Sequence, residues 1–472
     1  MIFPDYTGVT VPPNIAPLDF TIRERGSRFF VRLGAEVGDP IEILSSSPKI
    51  TIPIAQWRDL LDMNRGRQLR CDVYVEQDAE WLRHEQIVNP IANEDIDSNL
   101  VYRSIPPIHN KWREIAVRQR DLTSFDDSVV LNGLSFGAGC VNCHSFANND
   151  PNRMLIGIRS SQFGSAVVLA EDGRARKIGT RFGYTAWHPS GRFAVYSINK
   201  VWQFFHTTGS EVRDVIDLDS ALAYYTFESK RARLVPGASD KQRLETYPAW
   251  TPDGKFLYFC SAPLLWEKGT EIPPARFAEV QYDLMRIAYD VDGDQWGAVE
   301  TVLSAEETGL SLLLPRVSPD GRFLLFCMCQ YGCFPIYQPT SDLYMMDLKS
   351  GSYAKLDINS DRSESWHSWS SNSRWIAFSS KRLGEPFTRC FFSYVNESGT
   401  AHKPLLMPQE DPEFYHSSLK TVSVPEFTTG PVPVTDGALS QAVRSPESIA
   451  VDSWSGATAS RDTSNTRQPM RE

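Results

Sequence analysis

Cysteine and histidine are scarce in this sequence, and long runs of one residue class are absent. Each of the two residue types occurs eight times in 472 residues, so a close grouping of them is informative. No apolar run approaches the length of a transmembrane helix, and no dense Lys/Arg run offers a surface to nucleic acid. We find no Ser/His/Asp elbow, phosphate-binding glycine loop or paired-carboxylate motif that would indicate a common enzyme class.

The charge balance is acidic. Lys and Arg total 48 while Asp and Glu total 58, which gives a formal net charge of −10 and argues against nucleic acid as a partner. Hydrophobic residues make up 41% of the chain, enough for a sizeable core. The length predicts two or three domains, or one small domain and one large repeat domain.

Cys140-Val141-Asn142-Cys143-His144 reads C-x-x-C-H, the attachment sequence of a c-type haem. Two thiols at this spacing can each form a thioether to one porphyrin, and the following histidine then ligates the iron. A thioredoxin-like motif would need a βαβ pattern beside it, and a zinc site would need a second close Cys/His pair. The sequence has neither, so we predict one covalent haem c on Cys140, Cys143 and His144.

The pairing of the other six cysteines is left open by the sequence. Cys327 ends an apolar run and would simply pack, whereas Cys329 and Cys333 have the spacing of a local disulfide. A soft-metal site at these three thiols is the alternative. The remaining three are Cys71, Cys260 and Cys390.

The haem motif predicts an exported protein, because haem c is attached outside the cytoplasm. Residues 1–6, from Met1 to Tyr6, have neither the basic start nor the apolar core of a signal peptide. We therefore expect that a leader has been removed, with or without a lipid anchor. The expected location is the periplasm or the outer membrane.

The N-terminal part of the chain predicts a small β-domain. Residues 1–18 are rich in proline and predicted to be extended. Short alternating runs separated by turn residues then predict a β-sandwich of immunoglobulin or fibronectin type over residues 19–85.

Two further segments lack a regular pattern. Residues 86–152 contain Ile105-Pro106-Pro107, which interrupts regular structure, and read as an irregular linker that carries the haem motif. Residues 430–472 are rich in Ser, Thr, Gly, Pro and Asp and read as a disordered tail.

A recurring turn segment lies between these two regions. It consists of an aromatic or apolar strand end, a tight turn that favours proline and glycine, a basic residue and a buried strand. The four copies begin at Trp187, Trp250, Val317 and Trp369. Because the unit recurs roughly every 50–70 residues with a further strand after it, we predict a β-propeller over residues 153–429. The predicted fold is therefore all-β, with five to seven blades and six favoured.

These turn segments resemble the TolB-like, WD40-like propeller repeat, W-S-P-D-G followed by a buried strand. The copies at Trp250 and Val317 match well, the copy at Trp187 departs at two positions, and the copy at Trp369 lacks both Pro and Gly. From Pro12 to Phe427 the chain resembles exported bacterial proteins, notably of Bacteroidetes type, that combine a haem c motif with this propeller. The matching stretches are residues 140–146, 205–207, 365–370 and 408–415. The resemblance implies an architecture more than an activity.

The second axial ligand decides what such a haem does. Propeller strands follow His144 almost at once, so we expect the haem on a loop against the propeller. The candidates, in order of preference, are His206 and His109, then Met154, His188 and His367. The ordinary alternatives are that Met154 packs at a strand start, that His188 bonds a blade turn and that His367 is a core histidine.

Three functions follow from this reading. The first is a mono-haem c protein for electron transfer, in which the propeller is a scaffold and docking surface for a redox partner protein. The second is a haem enzyme whose open iron acts on a small oxidant or nitrogen compound. The third is a binding protein for a protein or glycan, in which the haem is structural or sensory.

Overall fold

The structure is a computed structural model that describes residues 1–107, 113–207, 211, 213–267, 270–384 and 386–452. Strands dominate, and the helices are α1 (Ile54–Asp62), α2 (Ala305–Thr308), α3 (Phe414–Ser417) and α4 (Asp436–Arg444). Within those ranges, no helix has the length and apolarity needed to cross a membrane.

Six four-stranded antiparallel sheets make up most of the molecule. Blade 1 contains β12 (Cys140–Ala147), β13 (Asp150–Ser160), β14 (Gly164–Glu171) and β15 (Arg174–Ile178). Blade 2 contains β16 (Thr185–Trp187), β17 (Phe193–Phe205), β18 (Arg213–Thr226) and β19 (Arg231–Leu234). Blade 3 contains β20 (Arg243–Trp250), β21 (Phe256–Pro263), β22 (Asp283–Asp290) and β23 (Gln295–Leu303).

The other three blades have the same order. Blade 4 contains β24 (Ser311–Val317), β25 (Phe323–Cys329), β26 (Asp342–Asp347) and β27 (Tyr353–Lys355). Blade 5 contains β28 (Glu364–Trp369), β29 (Trp375–Ser380), β30 (Arg389–Tyr394) and β31 (Leu405–Leu406). Blade 6 combines the late strand β32 (Thr421–Thr428) with β9 (Asn99–Ile105), β10 (Ala116–Asp121) and β11 (Asp127–Asn132).

The first strands of the six sheets form a closed ring. They contact one another in the order β12, β16, β20, β24, β28 and β32, and β32 then contacts β12. A ring of radial four-stranded sheets is a β-propeller. The predicted propeller is therefore present, and it has six blades. Its ring closes where β32, near the C-terminal end of the described chain, pairs with the much earlier strand β9.

The predicted start of the propeller was wrong. Residues 99–132 supply three strands of blade 6, and the haem motif begins blade 1, so residues 86–152 are not an irregular linker. The inner partner of β9 comes from the other end of the chain, and for this reason no local turn repeat marks this blade in the sequence.

The segment after residue 429 is ordered as far as Asp452, contrary to the predicted disorder. The side chain of Thr435 caps α4 by accepting a hydrogen bond from the Ala438 N–H. Four apolar side chains of the segment are buried in the core between blades 6 and 1, namely Val432, Val434, Leu439 and Val443. A few apolar residues at helical spacing therefore anchor a segment whose composition is polar. Residues 453–472 lie outside the described residues.

Two further sheets and α1 form the N-terminal part. The three-stranded sheet contains β1 (Ile2–Phe3), β2 (Phe20–Ile22) and β5 (Lys49–Ile50). The five-stranded sheet contains β3 (Arg28–Gly34), β4 (Ile41–Ser45), β6 (Gln68–Gln77), β7 (Glu80–Arg83) and β8 (Ile87–Pro90). One hydrophobic cluster runs from these sheets into the propeller, so the two parts share a core. Hydrogen bonds also join them, such as the 3.2 Å bond from Trp375 Nε1 to the Glu94 carbonyl.

Candidate functional site

The C-x-x-C-H segment forms the first half of β12, the inner strand of blade 1. Its ladder with β13 shifts register between Val141 and His144, which leaves Asn142 and Cys143 in a bulge. Inner strands of blades 3 to 6 shift register at a similar place, between the pairs Thr246/Ala249, Leu313/Arg316, Ser365/Ser368 and Ser423/Glu426. The motif therefore lies at a backbone irregularity that the propeller repeats.

The bulges bring side chains together in the central channel. Tyr184 of blade 2 lies 4.3 Å from Tyr247 of blade 3 and 5.8 Å from Trp366 of blade 5, measured between ring centroids. Cys143 lies beside Tyr184, close enough to affect its pKa electrostatically. We call these four side chains the channel ring. Blades 2 and 5 are opposite in the propeller, so their contact closes the channel at this level.

His144 is enclosed at the boundary between blades 6 and 1. Its side chain is 0% exposed, and its Nε2 lies 3.8 Å from Oε2 of Glu426 on β32. The main chain of Val101 lies close enough to act on the ring as a hydrogen-bond partner, although neither ring nitrogen makes a hydrogen bond of good geometry. Burial, with a smaller effect of the Arg103 charge, lowers the pKa of His144 to about 3. The imidazole is therefore neutral at physiological pH.

His367 lies in the bulge of blade 5, at the ladder position of Cys143, one residue before the position equivalent to His144. Its Nε2–H donates to the Leu325 carbonyl at 3.1 Å, and burial lowers its pKa to about 3 as well. Leu325 pairs with Arg316 in blade 4 in the same way that Val101 pairs with Glu426 in blade 6. Both histidines thus face equivalent main-chain positions in the preceding blade, which gives His144 a packing role that the fold uses twice.

The donor types suit a c-type haem, but their arrangement does not. The Cys143 thiol faces the channel ring, whereas the imidazole of His144 faces blade 6 and has no exposed surface. Cys140 is buried, with its Sγ 3.8 Å from the Val141 carbonyl. One porphyrin needs both thiols and an accessible imidazole on the same side. In this fold the first residues of β12 would have to leave the sheet, so we derive no redox step from them.

The predicted distal ligands are dispersed. His188 Nε2 lies 3.1 Å from the Gly254 carbonyl and its Nδ1 lies 2.7 Å from Ser190 Oγ, so it bonds the turns between first and second strands. Met154 is fully buried on β13, in register with Phe146. His109 lies outside the described residues.

His206 follows β17, and its Nε2 is 3.3 Å from Oδ2 of the buried carboxyl of Asp214. Tyr331 of blade 4 donates to the same carboxyl oxygen at 2.8 Å. His206 therefore belongs to a polar group that joins blades 2 and 4.

The six cysteines outside the C-x-x-C-H segment are thiols that form no disulfide in the described part of the chain. The Cys329 thiol points to the Tyr331 carbonyl at 3.3 Å, and the Cys333 thiol points to the Val215 carbonyl at 3.5 Å. In the described part of the chain, no group of three or more His, Cys, Asp or Glu residues has the geometry of a metal site.

A cavity lies between blades 2, 3 and 4, and the sequence did not predict it. It is a partly open cavity with an enclosed volume of about 10 Å³, and it lies beside the connections from second to third strands. These connections all lie on one face, here called the connection face, because strand direction repeats from blade to blade. The lining side chains that matter below are Asp214, Asp217, Trp266, Phe277, Tyr282 and Tyr331. Two aspartates within the apolar run of β18 were the available sequence signal.

The strand pairing defines the class of protein as a six-bladed β-propeller. No known family model matches the chain, and no curated protein does. Among solved structures, TolB from Acinetobacter baumannii is 14% identical with a TM-score of 0.44, over 77% of this chain and 79% of that one. The tricorn protease is 12% identical with a TM-score of 0.36, over 85% of this chain and 36% of that one. Both TM-scores are too low to support a shared function.

Proposed function

We propose that this chain is an exported binding propeller that recognises its ligand at the connection face. The cavity between blades 2, 3 and 4 carries this proposal, because three blades contribute to it and buried polar groups line it. Connections held on rigid sheets are the usual place for binding residues. Because the channel ring closes the central channel, a ligand would bind at one face of the propeller and would not pass through it.

A thermal-shift screen tests this function. Small amines, short peptides and glycan fragments are screened against the wild-type protein, and hits are repeated on two tyrosine variants. Tyr331→Ala removes a side chain that lines the cavity, while Tyr353→Ala removes an exposed tyrosine from the outer strand of blade 4. We expect hits to stabilise the wild-type and Tyr353→Ala proteins alike and to lose their effect on Tyr331→Ala. Hits that stabilise all three equally would contradict binding at this face.

Electron transfer by a covalent haem c, with a redox partner protein, is the second candidate function. The C-x-x-C-H spacing supports it, as do the two ring nitrogens of His144, neither of which makes a hydrogen bond of good geometry. The bulge at Asn142 and Cys143 lies outside the regular ladder, which lowers the cost of releasing the start of β12. Such a haem would be held by Cys140, Cys143 and His144, and it would supply one-electron chemistry.

Production of the full chain together with a haem c maturation system decides this candidate. Covalent haem would appear as an added mass and a pyridine haemochrome spectrum, both absent from the Cys140→Ser/Cys143→Ser variant. CO binding by the reduced protein would then indicate an open iron and favour the enzyme alternative. A chain that matures without covalent haem would exclude both haem functions and leave the binding function standing.

A further inference from the structure

The chemical nature of the ligand can be inferred from the cavity at the connection face, and this inference rests on the proposed binding function. We propose that the cavity binds a primary ammonium group on an apolar stem, as in a small alkylamine. Asp214 and Asp217 are its acidic partners, and Trp266 and Phe277 are walls for the stem.

Two buried polar atoms of the cavity lack a well-placed hydrogen-bond partner. Asp217 is 2% exposed and Tyr282 is 1% exposed, and both line the cavity. Oδ1 of Asp217 and the hydroxyl of Tyr282 make no hydrogen bond of good geometry, although the Ser220 hydroxyl and the Asp219 main chain lie beside the Asp217 carboxyl. A buried polar group without a well-placed partner costs stability, so these two atoms point to a donor that the cavity would accept.

The charges of the lining residues favour a cation as that donor. Oδ2 of Asp217 accepts a 2.6 Å hydrogen bond from the neutral Asn199 amide. Burial raises the pKa of Asp217 to about 7, with Asp219 nearby as a further acidic group. Asp214 has His206 at 3.3 Å and the Tyr331 hydroxyl at 2.8 Å, so its partners are shared with neighbouring blades. A bound cation would stabilise the ionised form of Asp217.

The size and walls of the cavity favour an ammonium group over other cations. Its enclosed part has room for about one water-sized group, which matches an ammonium head. Trp266, Phe277 and Tyr331 supply aromatic surface for an alkyl stem and for a cation over a ring face. No group suited to a metal ion occurs in the parts of the chain that are described, so a divalent ion fits less well.

Isothermal titration of the full chain with n-butylammonium chloride tests the assignment. n-Butanol has the same stem without the charge, and KCl at equal ionic strength supplies a charge without the stem. Of the three compounds, we expect only n-butylammonium to bind saturably. Asp217→Asn should weaken its affinity at least about tenfold, which equals about 1.4 kcal/mol of binding free energy. The matched control is Asp292→Asn, on an exposed turn of blade 3, which we expect to bind like the wild-type protein.

Tyr282→Phe provides a second variant, because it removes one hydroxyl and keeps the ring. We expect Tyr282→Phe to bind n-butylammonium more weakly than the wild-type protein does. This variant keeps the test valid if Asp217→Asn does not fold. Equal heats from n-butanol, equal heats from KCl or no saturable binding would each overturn the ammonium assignment. If other compounds of the screen still bind at the connection face, the proposed function stands and only this inference fails. If nothing binds there, both fail.

Discussion

His144 and His367 lie one ladder position apart in their blades, yet both face equivalent main-chain positions of the preceding blade. Both are enclosed between blades, and His367 donates to the main chain of the preceding blade. In protein without haem, we expect His144→Ala to lower the free energy of unfolding by about 1–3 kcal/mol. We expect the same decrease from His367→Ala. Urea unfolding measures both values. The comparison variant His416→Ala removes a half-exposed ring that stacks on Phe3 and pairs with Glu413, and should change stability by less than about 1 kcal/mol. An unchanged stability for His144→Ala would favour a ligand role over a packing role.

The same two histidines make stability depend on pH. Their pKa values are about 3 in the folded protein, well below the value of 6.5 expected when the chain unfolds. Between these values the unfolded chain binds more protons, so their contribution is present above pH 6.5 and is lost as pH falls towards 3. We expect the His144→Gln/His367→Gln variant to lose less stability than the wild-type protein between pH 7 and pH 5, as measured by urea midpoints.

Buried carboxyls act in the opposite direction, so the comparison with the variant is needed. Burial raises the pKa of Glu426 and of Asp217 to about 7, and their contribution to stability declines as pH rises from about 4 to 7. Equal pH dependence in the wild-type protein and the double variant would show that the histidines are not the groups that titrate.

The chemistry of the C-x-x-C-H residues could be read from the sequence, but their directions could not. The spacing identifies thiols and an imidazole within five residues. Whether Cys143 and His144 face the same space depends on the bulge at 142–143 and on which blade packs against each side. Both are long-range features. The same limit applies to Asp217 and Tyr282, which are far apart in sequence and meet only through the packing of two blades.

Among the elements, α4 offers a direct test of the ordered C-terminal segment. Leu439 is fully buried between blades 6 and 1. We expect Leu439→Ala to lower the free energy of unfolding by about 2–5 kcal/mol, because it leaves a cavity in a packed core. Leu134→Ala, at an exposed site in the segment before β12, should be nearly neutral. A neutral Leu439→Ala would mean that the segment does not stabilise the propeller.

Blade turns could be predicted where the turn itself has a chemical signature. Gly191, Gly254 and Gly321 have φ values of 68°, 72° and 73°, and Ser373 takes the same left-handed conformation at 62° in the copy without glycine. Blade 1 turns instead on Asn148 and Asn149, with φ values of 53° and 59°, which suit a two-residue hairpin. Because of this different turn chemistry, the common repeat did not identify β12 as the first strand of blade 1.

At the scale of the whole molecule, ring closure by β32 is the contact on which the other blades depend. Phe427 on β32 is fully buried in the core shared with the N-terminal sheets. We expect Phe427→Ala to cost about 3–5 kcal/mol and Phe414→Ala, at an exposed site, to cost little. Tryptophan fluorescence and far-UV circular dichroism should report one shared transition. Separate transitions would contradict a core that joins the N-terminal sheets to the propeller.

The architecture was predictable in outline because four copies of the turn segment indicate a propeller. Its closure was not, because the strands that complete blade 6 are separated by most of the chain. Local patterns therefore indicated the repeated unit. They did not determine which strands close the ring.

This closure also sets an order on biosynthesis. Because synthesis proceeds from the N-terminus, β9 is made long before β32. During that interval β9 has an unpaired edge, the kind of surface that holding chaperones cover and that aggregation exploits. A chain that stops before residue 421 keeps this edge permanently. Truncation before β32 should therefore leave a chain more prone to aggregation than one whose ring is closed.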